Sequence, residues 1–508
     1  MPIDLAWAET VAATLPALSP DRAFARGLEL INADFPEILL PVAIALGRSH
    51  RGDPRMAQLL GLAARAVGDG PLAYRSFRRA ARLAPADPLI AHSHAHTALE
   101  AGHPATELFV AARRLSPQDG TVVTGFAAAL VAAGRASEAD RMLTDILRAN
   151  PQWMDGHRAL AQIRGQFGGD VVGSVAEALA AAPRDPGLHA LGIDLLFQAR
   201  QHDAAARACA VAETELGDQP WIARMAGHAA SELSDHAAAD IALARSGPPD
   251  TVTDASLLVR HALRCERAEE AAALLDAWLP HDHGHSLVPY ASLAWRLVGD
   301  PRAEWLEGDP SLVGVYDLRR DIGGDLAGLA RRLRVLHNAI SPPIDQSVRG
   351  GTQTDGNLLL RDDPVLQRLR TLLLETVATH VARMAPVRDG HPTLVAHRGP
   401  RRIAGAWSVR LKDAGFHADH VHTQGWLSSA LYVALPDCLG GPAGDHAGWL
   451  SLGGSREVAP GVPPYRLVEP KPGRLVLFPS TMWHGTRPFP NGERMTIAFD
   501  IARPRQNG

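Results

Sequence analysis

The sequence predicts a multidomain protein, with an all-α array of helical repeats first and an α+β domain built on a β-sandwich or barrel after it. Two observations carry this. The first ~295 residues are rich in Ala, Leu and Arg and poor in Val, Ile and aromatics, a composition that favours helix, and turn signals recur along them at a near-constant interval. After about residue 300, Gly, Pro, Val and Thr rise and short alternating segments appear, the pattern of strands between turns. A chain of 508 residues is also too long for one ordinary core.

In the N-terminal part the breaks fall at Ala84-Pro85-Ala-Asp87-Pro88, Ser116-Pro117, Asn150-Pro151, Ala182-Pro183-Arg-Asp185-Pro186 and Gly217-Asp218-Gln-Pro220. Pro85, Pro117, Pro151 and Pro183 are separated by steps of 32, 34 and 32. Apolar residues at helical spacing fill each interval, with a weaker break near the middle, as at Gly102-His-Pro104 and Gly134-Arg-Ala-Ser137. Two helices per ~34 residues is the tetratricopeptide pattern. The segment Glu266 to Leu275 reads as a late, degenerate copy. A plain helical bundle is the alternative, and the regular spacing favours the solenoid. Solenoids of this class bind a peptide or another protein along a concave face, so a peptide or protein partner is expected.

In the C-terminal part Trp407–Leu411, Leu427–Leu435, Gly473–Phe478 and Arg494–Ile501 read as strands. Asp363-Pro364 opens a helix, with Pro at its first position and a 3.6-residue periodicity beyond it. A second helix is expected over Asp325–Ala339. The polar, Gly-rich segment Gln346–Thr354 reads as a loop.

Net charge is −4, so no basic footprint points to nucleic acid. The longest apolar runs, such as Phe126–Ala133, are too short to span a bilayer. Cys209, Cys265 and Cys438 are far apart, odd in number and in no metal spacing, which fits a reducing compartment. The N-terminus lacks a basic segment followed by an apolar one. A cytoplasmic protein is expected.

The chemistry concentrates in His417-Ala-Asp419-His420-Val-His422, Trp483-His484 and Arg494. Residues i and i+2 of a strand share a face, so H-x-H or H-x-D can grip one ion from one strand end. His484, just past a strand and the turn Pro479-Ser-Thr, supplies a third ligand. Two in-strand pairs compete. His417 and Asp419 with His484 make two histidines and a carboxylate, the commoner set in non-heme Fe(II) oxygenases. His420 and His422 with His484 make three histidines. Asp419 can alternatively orient a ligand imidazole. Arg494 and Thr496 share a face of an alternating strand. An inward Arg is costly without an anionic partner, and Arg pairs bidentately with carboxylates. The C5 carboxylate of 2-oxoglutarate would satisfy Arg494, with hydroxyls from Thr496 and Tyr432. The keto-acid end would chelate Fe(II), leaving a position for O2. Trp483 and Tyr432 are otherwise core aromatics, and His281, His283 and His285 read as solvated.

Together these parts resemble the 2-oxoglutarate/Fe(II)-dependent oxygenase superfamily, whose fold is a double-stranded β-helix (jelly-roll, cupin-like). The closest resemblance is to the oxygenase group that bacterial proteins carry behind tetratricopeptide repeats. It rests on Arg349-Gly-Gly-Thr352-Gln-Thr354, Gly415-Phe-His417, His420-Val-His422, Leu431-Tyr432, Pro472-Gly473, Trp483-His484-Gly485-Thr486 and Arg494-Met-Thr496-Ile-Ala-Phe499, and covers roughly residues 313–508. It divides the chain into a repeat domain over 1–295, a linker over 296–312 and an oxygenase domain over 313–508. It implies His420, His422 and His484 as the metal ligands, departing from the H-x-D of prolyl hydroxylases. It further implies decarboxylation of 2-oxoglutarate to succinate with hydroxylation of a C–H bond, here of a peptide or protein side chain presented by the repeats. Two other classes stay open: a non-catalytic scaffold with a degenerate barrel, and a three-histidine iron dioxygenase that does not use 2-oxoglutarate.

Overall fold

A computed structural model describes residues 4–323, 325–437, 439 and 446–505; Cys438 lies outside them. After an opening helix, Leu5–Thr14, helices pair off along the chain. The first helix of each pair starts at residue 20, 54, 88, 120, 154, 186, 220 or 252, in steps of 32 or 34. At three of the eight starts an Asp-Pro sets the phase. Asp53, Asp87 and Asp185 accept hydrogen bonds from backbone N–H groups of the first turn, and Pro54, Pro88 and Pro186 occupy the position whose N–H needs no partner. These prolines therefore start first helices. Gly102 and Gly134 sit at the turns inside their units with φ of 77° and 75°, a conformation only Gly adopts freely.

Residues 296–312, expected as a linker, are largely helical. Helices Val288–Val298 and Arg302–Glu307 and a 3-10 turn at Pro310–Leu312 continue the array. The break Gly299-Asp300-Pro301 hides an apolar set, Leu293, Trp295 and Leu306, that packs against Val458 and Trp483 of the C-terminal part. His281 and His283 are exposed and His285 is half-buried.

The C-terminal part is a double-stranded β-helix. Its strands are β1 (Gly314–Asp317), β2 (Val348–Gln353), β3 (Ile403–His417), β4 (Gly425–Ala434), β5 (Leu450–Leu452), β6 (Arg466–Val468), β7 (Arg474–Pro479), β8 (His484–Thr486) and β9 (Arg494–Ala502). One sheet runs β1-β7-β4-β9-β3-β2 and the other β6-β5-β8. Every pairing among the described strands is antiparallel. The segment expected as a loop at 346–354 contains β2, which takes a bulge between Arg349 and Gly351 against β3. The helix expected over Asp325–Ala339 is shorter, Leu326–Arg334.

Helix Pro364–Arg383 covers one face of the larger sheet. Its Leu366, Leu369, Leu373, Val377 and Val381, at helical spacing, pack on Leu427, Leu431, Ile497, Phe499 and Ile501. Truncating Phe499 to Ala would cost about 3–5 kcal/mol. Strand β9 alternates strictly. Met495, Ile497, Phe499 and Ile501 enter this core, so Arg494, Thr496, Ala498 and Asp500 face the other way.

The turns inside the helical units bear on the C-terminal part of the same chain. Arg370 donates to the Val67 carbonyl (2.8 Å), Asp362 N to Ala101 O (2.8 Å) and Ile340 N to Gln166 O (3.1 Å). Arg402 and Arg505 pair with Asp34 and Glu37 near the N-terminus. Trp483 Nε1 donates to Pro289 O at the other end (2.8 Å). No described helix is long and apolar enough to cross a membrane.

Candidate metal centre

Residues 418–422 leave β3 as an extended segment that crosses to β8. His420 N donates to His484 O (2.9 Å), His484 N to His420 O (3.0 Å) and His422 N to Ser480 O (2.8 Å). The period of two then sorts the side chains. His420 and His422 point into the pocket. Val421 joins the apolar cluster against the helical array. Asp419 turns to Arg456, whose backbone N, Nε and Nη2 donate to its carboxylate at 2.9, 2.8 and 3.1 Å.

The ring nitrogens of His420, His422 and His484 come together, with one donor atom of each lying within 4.8 Å of the others. The tautomers follow from the outward partners, since carbonyl and carboxylate oxygens only accept. His420 Nδ1 donates to Ala418 O (2.8 Å), His422 Nδ1 to Asp500 Oδ2 (2.7 Å) and His484 Nδ1 to Met482 O (3.0 Å). Each Nε2 is left as the nitrogen on the inner side, the arrangement outer partners impose on metal-binding histidines. Burial pushes His420 down to about 3, and burial with its imidazole neighbours holds His484 well below the usual histidine range, so both are neutral.

His417 lines the same pocket. Ser347 Oγ lies 3.0 Å from His417 Nδ1 and 3.2 Å from His420 Nε2. Asp500 was not singled out from the sequence. It accepts from His422 and, through Oδ1, from Ser428 Oγ (2.7 Å). Its signal was present, because it occupies the β9 face of Arg494 and Thr496.

Arg494 is 2% exposed and lines the pocket. Its Nε is buried without a hydrogen-bond partner, and no carboxylate among the described residues pairs with it. Burial lowers its pKa. The Tyr432 ring centre lies 5.1 Å from the guanidinium carbon, and the buried Tyr432 hydroxyl also lacks a partner. Thr496, next on the same face, lines the pocket too. An unpaired buried cation is expensive. An anion reaching in from the pocket would satisfy it, so the residues present fit a metal and an acidic cosubstrate side by side.

Residues 405–500 match the family model described as "Putative 2OG-Fe(II) oxygenase". No curated protein matches the chain. Among solved structures, the chain is similar to a tetratricopeptide repeat protein from Parabacteroides merdae (15% identity, 47% of this chain and 97% of that one, TM-score 0.30). It is similar to a Pseudomonas putida prolyl-4-hydroxylase (16% identity, 38% and 94%, TM-score 0.27). It is also similar to HygX from Streptomyces hygroscopicus, solved with nickel and 2-oxoglutarate bound (14% identity, 38% and 82%, TM-score 0.27).

Proposed function

We propose, from a C-terminal region that over residues 405–500 matches the model of a 2OG-Fe(II) oxygenase family, that the protein is a 2-oxoglutarate- and Fe(II)-dependent dioxygenase. The observation that carries the reading is the pairing of three convergent imidazoles with a buried Arg494, its Nε without a hydrogen-bond partner, in one pocket. His420, His422 and His484 would hold the metal. Imidazole suits iron. Arg494 would take the distal carboxylate bidentately, with Thr496 and Tyr432 donating hydroxyls. When bound, the metal and keto acid supply O2 activation coupled to oxidative decarboxylation; the protein supplies orientation and water exclusion.

The chain's own residues do three things here. The outward acceptors Ala418 O, Asp500 and Met482 O fix the imidazole rings. Arg494 selects a dicarboxylate over a monocarboxylate, because only a second carboxylate neutralises it. Phe478, packed 4.7 Å from the His484 ring, keeps that side of the site dry.

The proposed substrate is a C–H bond of a peptide or protein side chain held between the array and the pocket. Gln346 and Gln353 line the pocket, and the segments flanking β2 are tied to the array. Gln166 Nε2 donates to Asp355 (3.2 Å), and Ile344 N to Gln162 (3.3 Å). These ties join the β2 wall of the pocket to the array, which supports a substrate shared between the two parts of the chain.

The test is anaerobic addition of Fe(II) and then 2-oxoglutarate to the full chain, watching for the iron-to-keto-acid charge-transfer band. The band should survive Asp419→Ala and vanish in His422→Ala and His484→Ala. Iron-loaded wild type without a band removes the oxygenase reading. Metal binding without keto-acid dependence leaves the three-histidine dioxygenase.

A further inference from the structure

Metal and cosubstrate would occupy one side of the pocket, against the three imidazoles, Arg494 and Thr496. The other side is built by β2, by the residues that lead into it and by Trp407 of β3. Its polar groups have no part in holding metal or keto acid.

Strand register puts Gln353 there. Gln353 pairs with Val409 of β3, which pairs with Thr496 of β9, and cross-strand partners share a face. Gln353 Nε2 donates to Gln346 Oε1 (3.3 Å). Gln346 is braced in turn. Its Nε2 donates to Asp345 Oδ1 (3.0 Å), and Arg349 Nη1 donates to its backbone oxygen (2.8 Å). Ser347, the next residue, has its Oγ 3.2 Å from His420 Nε2, so the two carboxamides stand beside the face where the metal would sit. Gln353 keeps its Oε1 and the second Nε2 hydrogen free of any partner among the described residues. Trp407, its ring centre 5.6 Å from that of His422, adds an apolar surface next to them.

Charge narrows what can enter. Among the described residues no Asp, Glu or Lys lines the pocket, and Arg494 is its one arginine. An ammonium or guanidinium would be buried there without a counter-charge. The keto acid takes up Arg494 in the dioxygenase reading, so a second carboxylate would find no cation. A free C=O beside a free N–H selects a group that both donates and accepts. A primary carboxamide carries the two side by side and can pair at two points. A trans backbone amide points them in opposite directions, and a hydroxyl offers a single atom.

Resting on the dioxygenase reading, we infer that Gln353, braced by Gln346, binds the primary carboxamide of an Asn or Gln side chain, with Trp407 against its methylenes, and that this side chain is the one hydroxylated. The step balances. C–H, O2 and 2-oxoglutarate give C–OH, succinate and CO2, the carbon and the keto acid each losing two electrons to O2.

The probes are short Gly/Ala peptides with one guest residue, capped by acetyl and N-methylamide so that an Asn or Gln guest carries the only primary carboxamide. The full chain is loaded anaerobically with Fe(II) and 2-oxoglutarate, its charge-transfer band is read, and O2 is admitted. Asn or Gln peptides should gain one oxygen on the guest, located by tandem mass spectrometry, with an equal amount of succinate. Asp, Glu, Lys and Ser peptides should react at least about tenfold more slowly. Gln353→Ala should lower kcat/KM for the carboxamide peptide at least about tenfold. Gln353→Glu, which replaces a donor by a charge, should shift the preference toward the Lys peptide, a change that a merely structural role does not produce. Wild type without the band fails the dioxygenase reading itself. A chain that shows the band overturns the carboxamide assignment if it leaves both carboxamide guests unmodified, or modifies a charged or Ser guest as fast. A Gln353→Ala variant that keeps the band and the wild-type rate on the carboxamide peptide overturns it too.

Discussion

Asp500 gives the sharpest prediction about the pocket. Its carboxylate accepts from His422 Nδ1 and from Ser428 Oγ, both at 2.7 Å, while Ser428 Oγ also lies 2.9 Å from Ser480 Oγ. In Asp500→Asn the amide oxygen can still accept from His422, and its NH2 turns to Ser428, which then donates to Ser480. The imidazole stays oriented and loses only the charge. In Asp500→Ala both bonds disappear and the His422 ring is free to turn. Outer partners of metal-bound histidines are worth 10–100-fold in affinity, or about 1.4–2.7 kcal/mol. Asn should therefore fall near the tenfold end and Ala near the hundredfold end. The assay is anaerobic competition of the protein against a chromophoric Fe(II) chelator, with melting of the metal-free protein as the folding control. Fe(II) affinity of a folded Asp500→Ala variant within threefold of wild type would refute the claim that this carboxylate positions His422.

Arg494→Met should abolish the keto-acid charge-transfer band while leaving Fe(II) binding within a fewfold. It should not lower the melting temperature, because it removes a buried cation that has no carboxylate partner among the described residues. Glu307 is buried, bonded to Ser292 Oγ, and burial pushes its carboxyl up to about 7. A folded value raised above the ordinary ~4.5 means its stability contribution is complete below that value and is lost as pH rises to about 7, on the order of 3 kcal/mol. Glu307→Gln should flatten that part of the stability curve between pH 5 and 7, as followed by urea unfolding; an unchanged slope would count against it. A Cβ on Gly70 would meet the Leu360 carbonyl oxygen at 2.0 Å. Gly70→Ala should cost roughly 1–3 kcal/mol and loosen the contact between array and sheets, read as faster hydrogen exchange at residues 358–361.

The repeat phase was legible because it is local. A capping side chain and a Pro that starts a helix act within four residues, so helix-start and turn signals at 32–34-residue steps, Asp-Pro at three of the eight unit starts, mark the units without any tertiary information. Strands β3, β4, β7 and β9 were legible through their alternation and β-branched content. Strands β5, β6 and β8 were not, since each is three residues long and held by its neighbours in the smaller sheet. The polar, Gly-rich composition of β2 reads as loop, and pairing with β3 overrides it. The break at Gly299-Asp300-Pro301 concealed helices whose apolar residues find their partners, Val458 and Trp483, more than 150 positions away.

The residue types of the site were likewise visible: a His-rich run, a later His, and an Arg on an alternating strand. The sequence by itself determined which chemistry was affordable and where along the chain it lay, because ligand type and strand parity are properties of neighbouring residues. Only the tertiary structure decided which histidines converge. The extended crossing of 418–422 onto β8 sends His420 and His422 inward and gives Asp419 to Arg456. It also decided that Arg494 has no acidic neighbour and that Asp500 reaches His422. Each of these depends on atoms brought together across tens of residues, where packing and hydrogen-bond geometry, not local propensity, set the distances.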